Sequence, residues 1–128
     1  MNVLFDSHAV LWAIANDSRF PDLSRKLAER NDVTSYVSIA SLWEISIKHS
    51  AGRLELKNGL QETFTIIGSS RFKLLPVWSE HILTLSALPP IHNDPFDRIL
   101  IAQAKTEGLT LVTKDQRFSK YDVNLFWD

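Results

Sequence analysis

Short apolar runs alternate with longer stretches of helical periodicity, and that alternation most narrows what the chain can fold into. Val3–Phe5, Val33–Val37, Phe72–Val77, Leu109–Thr113 and Val123–Phe126 read as five strands. Between them, residues 8–15, 23–30, 39–51, 59–69, 79–87 and 95–107 read as helices. Ser38 is placed to cap the helix after the second strand, and Asp94-Pro95 to start the last one. Gly52 and Gly108 stand where helices can end in the left-handed conformation. Strands separated by helices pair in parallel, with both faces of the sheet covered. The expectation is a three-layer α/β/α fold around a mostly parallel five-stranded sheet. With 128 residues and no repeat, linker or low-complexity tract, one domain spanning 1–128 is expected.

Composition narrows the chemistry. The chain has no Cys, so disulfides, thiolate metal sites and cysteine nucleophiles are excluded, and a reducing cytoplasm suits it. No signal peptide is visible, and no apolar run approaches the ~20 residues of a membrane span. A cytoplasmic protein without a membrane role is the expectation. The net charge is -1, so a nucleic acid would have to be held by local cations and metal rather than by a global field.

Four acids sit where a carboxylate is awkward for folding. Asp6 closes the first strand, and Asp115 follows the run ending at Thr113. In such sheets ligands bind outside the carboxyl ends of the strands. On a helical projection Glu44 falls about 40° from Ala40, beside a stack of Ala40, Ile47 and Ala51. Ser41 and Glu44 also match a capping box, and Glu44 with Lys48 a helical ion pair. Asp97 lies within the arc of Phe96, Leu100, Ile101 and Ala104, away from Arg98 and Lys105. Carboxylates turned inward call for a cation, because buried unpaired charge is expensive. Oxygen donors suit Mg²⁺ or Mn²⁺, which can activate a bound water and neutralise charge on a phosphodiester. Asp6 and Asp97 are the expected direct ligands, with Glu44 and Asp115 acting through water or as further ligands. A metal-dependent hydrolase is the reading.

The stretches around these acids form an ordered set: Leu4–Trp12, Ser38–Ile45, Gly52–Leu56, His92–Arg98 and Leu111–Asp115. Together they resemble the PIN-domain ribonucleases, specifically the VapC-like toxins of bacterial toxin–antitoxin modules. The resemblance implies a sheet ordered 3-2-1-4-5 and Mg²⁺- or Mn²⁺-dependent endonucleolytic cleavage of RNA. It implies an acidic quartet at Asp6, Glu44, Asp97 and Asp115, with hydroxyls such as Thr113 nearby. It also implies a homodimer and a small cognate antitoxin that inserts a segment into the active-site groove.

Around this set, Arg98, Lys105, Lys114, Arg117 and Lys120 are candidates to touch substrate phosphates, with solvated surface as the alternative for each. Arg98 and Lys114, which adjoin site acids, lead them, and Thr113 is a further candidate substrate contact. His8, His49, His81 and His92 show no zinc spacing and read as structural, although His92 lies close enough to the acidic loop to contact substrate. Trp12 and Trp43 read as core or partner-interface residues. The segment from Ala51 to Phe64 suits packing against a second copy, gripping an inhibitor, or an ordinary helical hairpin.

Rival chemistries fit less well. An aspartate-nucleophile phosphatase wants a second Asp two residues after the first, where His8 stands. A phosphoacceptor receiver domain needs neighbouring acids at its first strand end, and Asn2-Val3-Leu4-Phe5 supplies none. No glycine loop exists to cradle a nucleotide phosphate. A degenerate domain that binds protein or RNA without cutting is the non-enzymatic alternative.

Overall fold

The computed structural model describes residues 1–128. Its elements are β1 (Val3–Phe5), α1 (Ser7–Ile14), α2 (Asp22–Glu29), β2 (Ser35–Ser38), α3 (Ile39–Ser50) and α4 (Gly59–Ser69). They continue with β3 (Lys73–Leu75), α5 (Ser79–Ser86), α6 (Pro95–Glu107), β4 (Thr110–Val112), a 3₁₀ turn (Gln116–Lys120) and β5 (Leu125–Phe126). The sheet runs β3-β2-β1-β4-β5, as the resemblance implied, and every strand pair in it is parallel. The antiparallel element that "mostly parallel" allowed for is absent. No helix is long and apolar enough to cross a membrane.

Four strands are shorter than the apolar runs that announced them. Asp6 turns out of β1 to cap α1, accepting from the Ala9 N–H at 2.8 Å, which leaves β1 three residues long. Its neighbours pair over the same three positions, Phe5 lying level with Val37 and Val112. Pro76 has no N–H to extend β3. The caps fall where local chemistry placed them. Ser38 Oγ accepts from Ala40 N–H at 3.1 Å, and Asp94 accepts from Phe96 and Asp97. Gly108 ends α6 at φ 67.

Side chains of β1 point alternately to opposite faces, so one strand serves two cores. Val3 and Phe5 join Val10, Phe20, Val37 and Ile45 in one. Leu4 joins Leu100, Ile101, Leu111 and Phe118 in the other. The middle of α6 is buried nearly all round, from Ile99 to Ala104.

On α3 the apolar projection was drawn to the wrong side. Ala40, Ser41, Glu44 and Ile45 are buried, whereas Ile47 and Ala51 are exposed. Glu44 is indeed inward, but its neighbours are the Ser41–Ile45 side of the helix. Trp43 is not a core residue: it is 64% exposed and packs edge-on against Phe96 at 5.2 Å. Ala40, Ser41 and Glu44 are buried on the side where α3 lies close to α1 and α6.

Candidate active site

The strand order reverses at β1, whose neighbours β2 and β4 are reached by crossovers in opposite directions. A parallel sheet leaves a crevice at that reversal, beyond the carboxyl ends of the strands. The structure has a cavity of about 560 Å³ here, and Asp6, Glu44, Asp97 and Asp115 all line it. Asp94, Ser7, His8, Trp12, Lys48 and Lys114 line it as well. Register explains the first contact. Because Phe5 is level with Val112, Asp6 is level with Thr113, and Thr113 Oγ1 donates to Asp6 Oδ2 at 2.5 Å. Thr113 Oγ1 also accepts the Asp115 N–H at 3.0 Å, so one buried hydroxyl ties two site acids together.

Each remaining acid has its own support. Glu44 is 6% exposed and receives Ser7 Oγ on one oxygen and Lys48 Nζ at 2.8 Å on the other. Asp97 is held by His92 Nε2 at 2.8 Å. His92 Nδ1 faces the Asp94 N–H at 3.4 Å, which favours the tautomer whose Nε2–H donates to Asp97. Asp115 is gripped on both oxygens by Arg117, at 2.6 and 3.0 Å.

Electrostatics separates these acids. Burial pushes the Asp6 carboxyl up, against the opposing hydrogen bonds from Thr113 and Ala9. Asp97 is pushed up to about 6, chiefly by burial and then by the Asp94 carboxylate. Asp115 is instead held below the usual carboxylate range by Arg117. Two acids thus lie in surroundings short of positive charge, which a divalent cation would supply. The donor set fits a hard cation: carboxylate oxygens dominate it, with one imidazole at the edge. His92, Asp97 and Asp115 can bring one ligand atom each within 4.8 Å of one another. Asp6 and Glu44 line the same cavity outside that trio.

Of the candidate phosphate contacts, Lys114 lines the cavity and Thr113 lies beneath it. Arg98 does not reach it. Its guanidinium donates to Pro89 O at 2.9 Å, Tyr121 Oη at 3.2 Å and Leu85 O at 3.3 Å. Tyr121 Oη also accepts the His92 N–H at 2.8 Å, so Arg98 and Tyr121 fix the turn that carries His92. Sequence reasoning missed Tyr121, since nothing local links it to a residue 29 positions away. It took Asp94 only as a cap, although an acid three residues before Asp97 on a helix start is a readable signal. His92 has a contact with a site acid that its spacing did not reveal.

Carboxylates gathered at the switch point of a parallel sheet define an α/β protein with an acidic site whose donors suit a hard cation. The chain belongs to the PIN domain family, whose profile matches residues 3–124. Among solved structures it resembles a chain of VapBC2 from Rickettsia felis bound to a promoter DNA fragment. That match has a TM-score of 0.77 and 20% identity over 100% of both chains. It resembles DNA-bound VapBC from Salmonella typhimurium at a TM-score of 0.68 and 14% identity, over 98% of this chain and 97% of the other. FitAcB from Neisseria gonorrhoeae aligns at a TM-score of 0.67 and 20% identity, over 98% and 96% of the two chains. A sequence comparison with curated proteins finds no match.

Proposed function

We propose that this chain is a single-domain, divalent-metal-dependent endoribonuclease and the toxin of a toxin–antitoxin pair. The observation that carries the reading is the convergence of Asp6, Glu44, Asp97 and Asp115 on one cavity where burial already raises two of them. Mg²⁺ or Mn²⁺ held by these acids would supply an activated water and neutralise charge developing on the scissile phosphate. The chain's own residues provide the rest. Thr113 and the Ala9 N–H orient Asp6, while Ser7 and Lys48 orient Glu44. His92 holds Asp97, and Lys114 stands at the rim where a phosphate would enter. Fixing the carboxylates before substrate arrives lowers the reorganisation cost of the reaction.

Two surfaces support the partner assignments. Ile39, Trp43 and Ile47 form an exposed apolar stripe on α3, which suits a homodimer. A groove of about 500 Å³ that shares His8 and Trp12 with the acidic cavity, and is lined by Leu11, Leu54, Leu56 and Ile66 among others, suits the apolar face of an antitoxin helix. A cytoplasmic location accords with an RNA substrate.

Incubating the purified, antitoxin-free protein with total RNA tests the reading, in Mn²⁺ or Mg²⁺, with chelator, and beside Asp97→Asn. Cleavage that chelator and the variant both abolish is expected. Equal cutting by the variant, or cutting in chelator, would overturn the assignment.

A further inference from the structure

A second, smaller cavity of about 220 Å³ adjoins the acidic one and shares Ser7, His8, Glu44 and Lys48 with it. Its other polar wall is Arg53, and Leu11 and Leu54 contribute apolar surface. Arg53 is the only arginine in the chain whose side chain has no internal partner. Arg19, Arg30 and Arg117 pair with aspartates, Arg71 and Arg98 donate to carbonyls, and Arg25 lies over the Phe20 ring. The ring of His8 likewise makes no hydrogen bond within the chain, although it lies close enough to lower the Asp6 carboxyl. Lys48 uses one of its three N–H groups on Glu44. Three donor-bearing side chains with capacity left over therefore face one cavity beside the acids.

Local backbone chemistry puts Arg53 there. Gly52 ends α3 at φ 71, its N–H donating to His49 O at 3.1 Å, and the Arg53 N–H donates to Lys48 O at 2.9 Å. This pair of bonds is a Schellman closure, which ties the residue after the glycine to the last helical turn. His49 Nδ1 meets Leu54 O at 3.0 Å and secures the next residue. An arginine here could serve only to cover the helix's free carbonyls, yet its guanidinium touches none of them.

We propose that this cavity is a phosphate subsite for a single RNA strand. It takes the backbone phosphate next to the one presented to the acids. The planar fork of Arg53 matches two phosphate oxygens, and Lys48 bridges that phosphate and Glu44. Leu11 and Leu54 give the intervening ribose an apolar wall. The inference rests on the nuclease reading for its substrate class. A strand is favoured over an acidic protein segment because phosphates recur at every nucleotide and so occupy both cavities in succession. With a chain charge of -1 there is no broad positive field to do this work, and local cations must.

Binding of a fluorescein-labelled, mixed-sequence single-stranded RNA, followed by anisotropy in Ca²⁺ over a salt series, tests the subsite. Arg53→Ala should weaken binding and lower the slope of log K against log salt by about 0.7, the amount expected for one single-strand phosphate contact. Arg53→Lys should restore most of the slope, and Lys26→Ala on α2 should leave it unchanged. Once Mn²⁺ cleavage has mapped the linkage cut in this RNA, a single methylphosphonate placed next to it should penalise the wild type and leave Arg53→Ala indifferent. No binding by the wild type, or an unchanged slope in Arg53→Ala, overturns the subsite. Loss of binding to a polyglutamate peptide, with RNA binding intact in the variant, overturns it in favour of an acidic protein partner. Cleavage of the same RNA in Mn²⁺ scores the nuclease reading separately. Cutting with an unchanged slope rejects the subsite alone, whereas an altered slope without cutting rejects the nuclease alone.

Discussion

Removing the charge of Asp97 should stabilise the metal-free protein while destroying its activity. In the fold this carboxyl titrates at about 6, against an ordinary 3.8, because it is buried beside Asp94. Between those two pH values the unfolded chain has lost the proton and the folded chain still holds it, so stability falls as pH rises. The penalty is complete above about pH 6 and absent below the ordinary value. Its full size is about 3 kcal/mol, and partial solvent screening of a side chain 16% exposed brings it to roughly 1–2 kcal/mol. Asn keeps an oxygen for the His92 Nε2–H and carries no charge. In chelator at pH 8, Asp97→Asn should therefore melt about 4–8 °C above the wild type. Near pH 4 the two curves should meet. Mn²⁺ should raise the melting temperature of the wild type more than that of the variant. Thermal and urea unfolding at both pH values read this directly. A variant no more stable than wild type at pH 8, or equally stabilised at both, would refute the claim that the site is short of positive charge.

Other substitutions probe the remaining supports. Thr113→Val removes the hydroxyl that joins Asp6 to Asp115, and should cost about 10–100-fold in Mn²⁺ affinity or cleavage with the circular dichroism unchanged. Arg117→Ala frees both oxygens of Asp115, so its carboxyl should rise toward the ordinary value and calorimetry should show tighter Mn²⁺ binding; weaker binding would count against Asp115 as a ligand. Trp43→Glu alters an exposed ring and should change unfolding by no more than about 0.5 kcal/mol, while light scattering shows loss of self-association. Gly108→Ala meets no atom within 4 Å, yet the left-handed backbone at φ 67 should make it cost about 1 kcal/mol in urea unfolding.

The site is best understood as two layers with different origins. The carboxylates sit where strands end and helices begin, so each is delivered by its own segment. Some of the residues that aim them come from elsewhere: Thr113 from the far end of the chain for Asp6, Ser7 from α1 for Glu44, and Tyr121 and Arg98 for the turn bearing His92. A substitution in that outer layer changes geometry without removing a ligand, which is why Thr113→Val is the more discriminating variant.

What the sequence determined by itself was whatever short-range physics decides. Ser38, Asp94, Gly52 and Gly108 mark helix ends because a cap or a left-handed residue satisfies backbone groups within a few positions. The alternation of runs with helical periods is equally local, and with crossover rules it leads to a parallel sheet. Asp6 and Asp115 at strand ends, and Asp97 on an inward helix face, were legible for the same reason, whereas Glu44 was read as inward from a projection that set exposed Ile47 and Ala51 beside it. Tertiary structure alone decided which face of α3 is buried, that Trp43 is exposed, and that Arg98 turns from the cavity to clasp a loop. It alone placed Thr113 against Asp6 across 107 residues, because that contact depends on the register of β1 with β4. Register is fixed by packing over the whole sheet, and no segment carries it alone.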